Sequence, residues 1–239
     1  MSEKPWQIIC GDAKAVMATL PADSIDLVVT SPPYAQGLEY EEGLDWRGLY
    51  ELMSGVAGAA LPAIKPSGFF FVNFGETTKY PRTMAELYNR AFVGAGWIMH
   101  SRRIWQKRGS YLSPAMIDHS TPAGEWENIW LFRRPPNSAE KRRSRLTYRG
   151  IWYFPGDVTT KDADHPAMFP VSLPRAAMLC WSDIGDLVVD PFSGSGSTGV
   201  ACIQEDRRYI GVDISTEYND MGRKRLEKAW RQKQYKLPI

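Results

Sequence analysis

Two short stretches of the 239-residue chain hold residue types that could act together. The first is Asp190-Pro191-Phe192-Ser193-Gly194-Ser195-Gly196-Ser197-Thr198-Gly199. It follows an apolar run and opens a helical pattern, the place where an open α/β sheet binds a nucleotide-like ligand. Glycine lets the backbone pass close to a ligand, and the start of the following helix offers N–H groups that lack intrahelical partners. Gly194, Gly196 and Gly199 fit the G-x-G-x-x-G spacing. Alone, that spacing also fits a tight strand-to-helix turn with no ligand. Downstream, Gly211-Val212-Asp213 closes the next apolar run, and a carboxylate there can accept hydrogen bonds from both hydroxyls of a ribose.

The second stretch is Ser31-Pro32-Pro33-Tyr34. Two adjacent prolines cannot continue a central strand, so the chain must leave the sheet there. A base amine is a poor nucleophile because its lone pair is delocalised into the ring. A serine hydroxyl and carbonyls released from the sheet can hold such an amine and draw it toward a pyramidal geometry. Tyr34 offers a flat face on which an extruded base can stack. As an isolated match, X-Pro-Pro-aromatic is equally a structural turn.

These stretches need a scaffold, and the apolar patterning supplies one. Trp6–Cys10 reads as a buried strand, followed by helical spacing of Ala13, Val16, Met17 and Leu20. Ile25–Val29 is a second strand, which leads into Thr30-Ser31-Pro32-Pro33-Tyr34. Residues 46–64 read as helix, 68–74 as strand, 81–93 as helix, and 97–106 and 125–132 as two further strands. After a basic segment, 173–180 reads as helix, 187–189 as strand, 198–204 as helix, 208–212 as strand and 217–232 as a charged amphipathic helix. Alternation of this kind indicates an α/β fold with a doubly wound, mostly parallel sheet.

Composition narrows the class. The chain is 44% hydrophobic and 23% charged, enough for one sizeable core and ordinary for a globular domain. Its three cysteines have no zinc-ligand spacing and do not suggest a disulfide framework, and Cys10 and Cys202 read as small buried hydrophobes. The first residues lack the apolar core of a signal peptide, and no apolar run can span a bilayer, so a soluble, cytoplasmic protein with no membrane partner is expected. The net charge is +2, yet Arg133–Arg149 holds seven Arg or Lys and one acid. Arg133, Arg134, Lys141, Arg142, Arg143, Arg145 and Arg149 can neutralise several phosphates, with Tyr148, Trp152 and Tyr153 nearby to stack or wedge; a solvated loop is the plainer alternative. Glu39, Glu41, Glu42 and Asp45 form an acidic cluster suited to a flap or a subunit contact rather than to DNA.

Taken together, the two motifs resemble those of the DNA amino-methyltransferases, in particular the permuted group called the β class, in which the catalytic tetrapeptide precedes the cofactor motif. The resemblance covers nearly the whole chain. It implies that Ile8-Ile9-Cys10-Gly11-Asp12 is the opening strand, with Asp12 at the cofactor adenine. It implies that His165-Pro166-Ala167-Met168-Phe169-Pro170 walls the methionine end of the pocket, with His165, Phe169 and Pro170 as cofactor contacts and Phe192 packed nearby. Lys65-Pro66-Ser67-Gly68 before an apolar strand is also typical of the family.

The cofactor would be S-adenosylmethionine, held by Asp190, Phe192, Gly194, Gly196, Ser197, Thr198 and Asp213. Ser31, Pro32, Pro33 and Tyr34 would carry catalysis by direct, in-line transfer. The chain would be circularly permuted, residues 1–132 forming the catalytic half, 133–164 a short basic target-recognition insertion, and 165–239 the cofactor-binding half. No Pro-Cys dipeptide is present, which argues against carbon-5 cytosine chemistry. Serine at the head of the tetrapeptide leans, by resemblance, toward cytosine N4, with adenine N6 as the alternative. Double-stranded DNA is the expected partner, along with a homodimer mate and a cognate restriction endonuclease. A nicotinamide-linked dehydrogenase would explain the glycines but neither Ser31–Tyr34 nor 165–170. An RNA or protein methyltransferase and a catalytically dead DNA-binding protein are the other rivals.

Overall fold

The protein is described here from a computed structural model covering residues 4–33, 44–75, 83–107, 126–135, 150–154 and 170–236. In chain order the elements are β1 (Trp6–Cys10), α1 (Ala13–Thr19), β2 (Ile25–Thr30), α2 (Trp46–Ala63), β3 (Ile64–Phe74), α3 (Met84–Gly94) and β4 (Ile98–Lys107). There follow β5 (Trp126–Arg133), β6 (Ile151–Phe154), α4 (Ser172–Trp181), β7 (Leu187–Asp190), α5 (Ser197–Gln204), β8 (Arg208–Asp213) and α6 (Thr216–Lys236). The described strands form one eight-stranded sheet in the order β1-β8-β7-β2-β3-β5-β4-β6. Only β5 runs antiparallel to its neighbours.

The central strands are mostly apolar because both faces of the sheet are covered. All six residues of β2 are buried, as expected for a parallel strand between two layers of helices. One face packs on α1, α2 and α3 through a core that includes Met17, Met53, Phe70, Tyr88 and Phe132. The other packs on α4, α5 and α6 through Phe71, Met178, Cys202 and Leu226. Helix starts are fixed locally: Asp12, Asp45 and Thr83 cap α1, α2 and α3 by accepting backbone N–H groups. Asp45 of the acidic cluster is thus a helix cap, while Glu39, Glu41 and Glu42 lie outside the described residues.

Three expectations change. β1 pairs only with β8 at the sheet edge, and of its five residues only Ile8 is buried, so Cys10 is exposed. An apolar run does not distinguish an edge strand from a central one. β3 begins at Ile64, four residues before Gly68, and its register against β2 shifts between Ile25 and Leu27. Third, Ile151–Phe154, inside the expected 133–164 insertion, adds the edge strand β6. Trp152 there is buried and stacked against both Phe71 and Trp181, so it belongs to the core and cannot wedge into DNA. Among the described residues no helix is long and apolar enough to cross a membrane.

The strand order sets the site. From β7 the chain passes through α5 to β8 on one side, and from β2 through α2 to β3 on the other. β2 and β7 are therefore adjacent parallel strands whose connections diverge. The crevice beyond their carboxyl ends is where such sheets bind ligands.

Candidate active site

The two motifs meet at that crevice. Thr30, the last residue of β2, donates through Oγ1 to Asp190 Oδ1 at 2.7 Å, across 160 residues of sequence. Asp190, the last residue of β7, also accepts from Thr198 Oγ1 at 2.6 Å and from the Phe192 amide at 3.1 Å. Its carboxylate is thus turned inward, joining β2, β7 and α5. Burial pushes this carboxyl up to about 6, against hydrogen bonds from Thr198, Thr30 and Phe192 that favour the charged form. Ser31, Pro32 and Pro33 continue from Thr30 outside the sheet, with Pro32 buried and Ser31 and Pro33 half-buried.

The glycine turn is shaped by what packs beneath it. Gly196 caps α5 at φ 83°, a left-handed conformation, and a Cβ there would lie 2.9 Å from Leu226. At Gly199 a Cβ would lie 2.5 Å from the ring of Tyr209, so the helix can approach β8 only without a side chain. No side chain caps the start of α5 among the described residues, which leaves its first N–H groups available to an acceptor. Asp213, at the end of β8, is half-buried and braces the same turn: Oδ2 accepts from the Gly194 amide and Oδ1 from Ser215, both at 2.9 Å. Each oxygen keeps a further lone pair for a ligand hydroxyl. Gly11 donates to the Asp213 carbonyl at 3.0 Å, setting Asp12 beside it, and the Asp12 carboxylate caps α1 through Ala15 at 2.7 Å.

Of the other expected cofactor residues, Phe192 is half-buried and packs against the core on the α1–α3 side, and Ser197 and Thr198 are buried in the first turn of α5. Pro170 is buried and its carbonyl accepts from Leu173 at the start of α4. Tyr34, His165, Phe169, Lys141, Arg142, Arg143, Arg145 and Arg149 lie outside the described residues. Arg133 and Arg134 are not brought to the crevice. β5 is antiparallel to β3, so Arg133 pairs with Phe69 toward the amino ends of the parallel strands. Arg134 there donates to Asp23 at 2.7 Å and to the Ile64 carbonyl at 2.9 Å.

Several residues that hold the site were not singled out from the sequence. Arg225 of α6 donates to both the carbonyl and the hydroxyl of Ser195 at 2.7 Å, and burial lowers its pKa. Asn219, fully buried, donates to the carbonyls of Asp213 and Ser215 at 2.9 and 2.6 Å. Tyr88 of α3 donates to the Pro33 carbonyl at 3.3 Å. Thr30 carried a usable signal, a polar residue closing an apolar run just before the prolines. Arg225, Asn219 and Tyr88 sit in ordinary helical patterns and carried none.

Comparison with known proteins bears on this geometry. The type II methyltransferase M.BglI of Bacillus subtilis is 25% identical over 295 residues, an alignment covering 91% of this chain and 84% of that protein. The DNA adenine methyltransferase YhdJ of Escherichia coli (strain K12) is 27% identical over 251 residues, covering 93% and 83%. Among solved structures, the cytosine-N4-specific PvuII DNA methyltransferase shares the fold, with a TM-score of 0.77 at 21% identity and coverage of 95% of this chain and 92% of that one. The sequence profile of the N6/N4 methyltransferase family, described as DNA methylase, matches residues 25–224, a span that includes the Ser31 loop, the glycine turn and Asp213. The chain belongs to this DNA methylase family.

Proposed function

We propose that the protein transfers a methyl group from S-adenosylmethionine to an exocyclic amine of a base in double-stranded DNA, and that the base is cytosine, at N4. The observation that carries this reading is the Thr30–Asp190 hydrogen bond, which sets the start of the Ser31 loop against the glycine turn. The residues present suit the cofactor: a glycine turn, an uncapped helix start, and a carboxylate at the end of the neighbouring strand. When bound, S-adenosylmethionine supplies an electrophilic methyl group on a sulfonium.

The chain's own contribution is placement. Asp213 holds the ribose hydroxyls, and Asp12 and Phe192 border the same pocket. Ser31 and the loop carbonyls accept hydrogen bonds from the amine and orient its lone pair, while Tyr34 stacks on the extruded base. Lys141, Arg142, Arg143, Arg145 and Arg149 contact phosphates. Arg133 and Arg134, at the opposite sheet edge, drop out of that surface. β8 and β7 lie between β1 and β2 in the sheet, which supports reading the chain as a permuted methyltransferase. M.BglI is named as a type II methyltransferase, and on that analogy a cognate restriction endonuclease accompanies this protein.

Serine at position 31 favours cytosine N4. Adenine N6 is the second reading, favoured by the similarity to YhdJ, which is named as an adenine methyltransferase. Incubation with unmethylated genomic DNA and labelled cofactor, followed by mass spectrometry of the nucleosides, tests both. N4-methylcytosine is the expected product. N6-methyladenine would establish the second reading, and label in neither nucleoside would overturn both.

A further inference from the structure

The Ser31–Pro33 loop is held at both ends, once from each helical layer. Upstream, Thr30 is fully buried and its hydroxyl donates to Asp190 at 2.7 Å. The other oxygen of that carboxylate accepts from Thr198 in the first turn of α5. Downstream, Tyr88 is fully buried on α3, its ring stacked on Phe74 at 4.4 Å between centroids, and its hydroxyl donates to the Pro33 carbonyl. The prolines fix their own φ angles, but nothing in them sets where the loop lies relative to the glycine turn. The two hydrogen bonds do.

We propose that Thr30 and Tyr88 are positioning residues that hold the Ser31–Pro33 loop in register with the glycine turn, Thr30 through Asp190 and Tyr88 through the Pro33 carbonyl. The proposal rests on the reading of this loop as the site of methyl transfer. In-line transfer depends steeply on placement, and a displacement of about 1 Å can cost on the order of a hundredfold in rate. Loss of either bond allows part of that displacement. Tyr88→Phe keeps the ring and its stacking on Phe74, and the half-buried Pro33 can turn its carbonyl to water, so the fold should survive. Thr30→Val keeps the shape of the side chain and removes the donor, whereas Thr30→Ser keeps the donor.

The test uses the full chain. In single-turnover transfer to unmethylated DNA by cofactor-saturated protein, Tyr88→Phe and Thr30→Val should each be slower by about tenfold. Calorimetric affinity of Tyr88→Phe for S-adenosylmethionine should stay within about twofold of wild type, because its hydroxyl donates to the Pro33 carbonyl and not to the glycine turn or Asp213. Thr30→Ser should restore the rate. Independently of activity, hydrogen exchange over Val28–Pro33 in cofactor-free protein should be faster in Tyr88→Phe and Thr30→Val than in wild type and Thr30→Ser. Wild-type exchange and wild-type rate in both hydroxyl-deleted variants would overturn the proposal. So would a Thr30→Ser variant as impaired as Thr30→Val, since packing rather than the hydroxyl would then matter. If the wild-type protein itself methylates no DNA, the functional reading falls, and the exchange experiment still decides whether the two residues hold the loop.

Discussion

Asp26 and Asp190 both tie β2 to β7, at opposite edges of the sheet and with different partners. At the amino edge Asp26 of β2 accepts from the Leu187 amide of β7 at 2.9 Å and from the Lys65 ammonium of β3 at 2.7 Å. At the carboxyl edge Asp190 of β7 accepts from two threonine hydroxyls and an amide, all neutral donors. Arg134 extends the first pattern with its ion pair to Asp23 and its bond to the Ile64 carbonyl. One edge is closed by charges that satisfy each other. The other joins loops through neutral donors and leaves the helix start of α5 uncapped. An edge built to close its own hydrogen bonds is structural, and one with donors to spare can take a ligand. Substitutions at the amino edge should therefore lower stability and spare function, and those at the carboxyl edge the reverse, with Asp190 belonging to both.

The largest effect expected is at Asp190. Its folded pKa of about 6 lies above the reference of 3.8, so the ionised form is the one disfavoured by folding. Its contribution to stability is complete below pH 3.8 and is lost as pH rises through 6. Chemical denaturation of wild type and Asp190→Asn from pH 3 to 7.5 should show wild type losing about 3 kcal/mol relative to the variant across that window. A pH-independent difference would mean that the carboxylate is not strained by burial and would undo the contrast with Asp26.

Next is Ser31→Ala, which removes the acceptor proposed for the amine and should slow single-turnover transfer by about two orders of magnitude. Cofactor binding, measured by calorimetry, should persist, and full activity in Ser31→Ala combined with Tyr34→Ala would return the tetrapeptide to an ordinary turn. At the amino edge Asp26→Ala strands the Leu187 amide and the Lys65 ammonium and should cost about 2 kcal/mol in denaturant titrations. Methyl transfer by the folded variant should match wild type, and a slower rate would show that the two edges are not separable.

Asp213→Ala should weaken cofactor binding at least about tenfold, since charge-assisted bonds are worth roughly 1.5–3 kcal/mol each. Because Asp213 also accepts from Gly194, Asp213→Asn, which keeps an acceptor oxygen, should lose less; unchanged calorimetric affinity in both would remove Asp213 from the site. The smallest effect is at Arg134, whose partner Asp23 is more than half exposed, so Arg134→Ala should cost under about 1 kcal/mol. Its DNA affinity and salt dependence should equal wild type, while replacing Arg142, Arg143 and Arg145 together should flatten the slope of log K against log salt by up to about 2.7. The opposite pattern would place the DNA surface at the amino edge.

Local chemistry was legible in the sequence because it depends on neighbours a few residues away. Apolar runs, the double proline, the Gly194–Gly199 spacing and the closing Asp213 gave the order of strands and helices apart from β6 and marked both motifs. Their boundaries in the structure differ by a few residues, as at β3, where Ile64 joins the sheet ahead of Gly68. Burial and pairing depend on which strands become neighbours, and no local pattern states that. The tertiary structure put β1 at an edge and exposed Cys10, drew Trp152 into the core, and turned Arg134 away from the site. It alone joined Thr30 to Asp190 and Tyr88 to Pro33, across 160 and 55 residues. A hydroxyl donor looks the same in a helix whether it faces water or a loop carbonyl such as that of Pro33, and only the packed sheet decides between them.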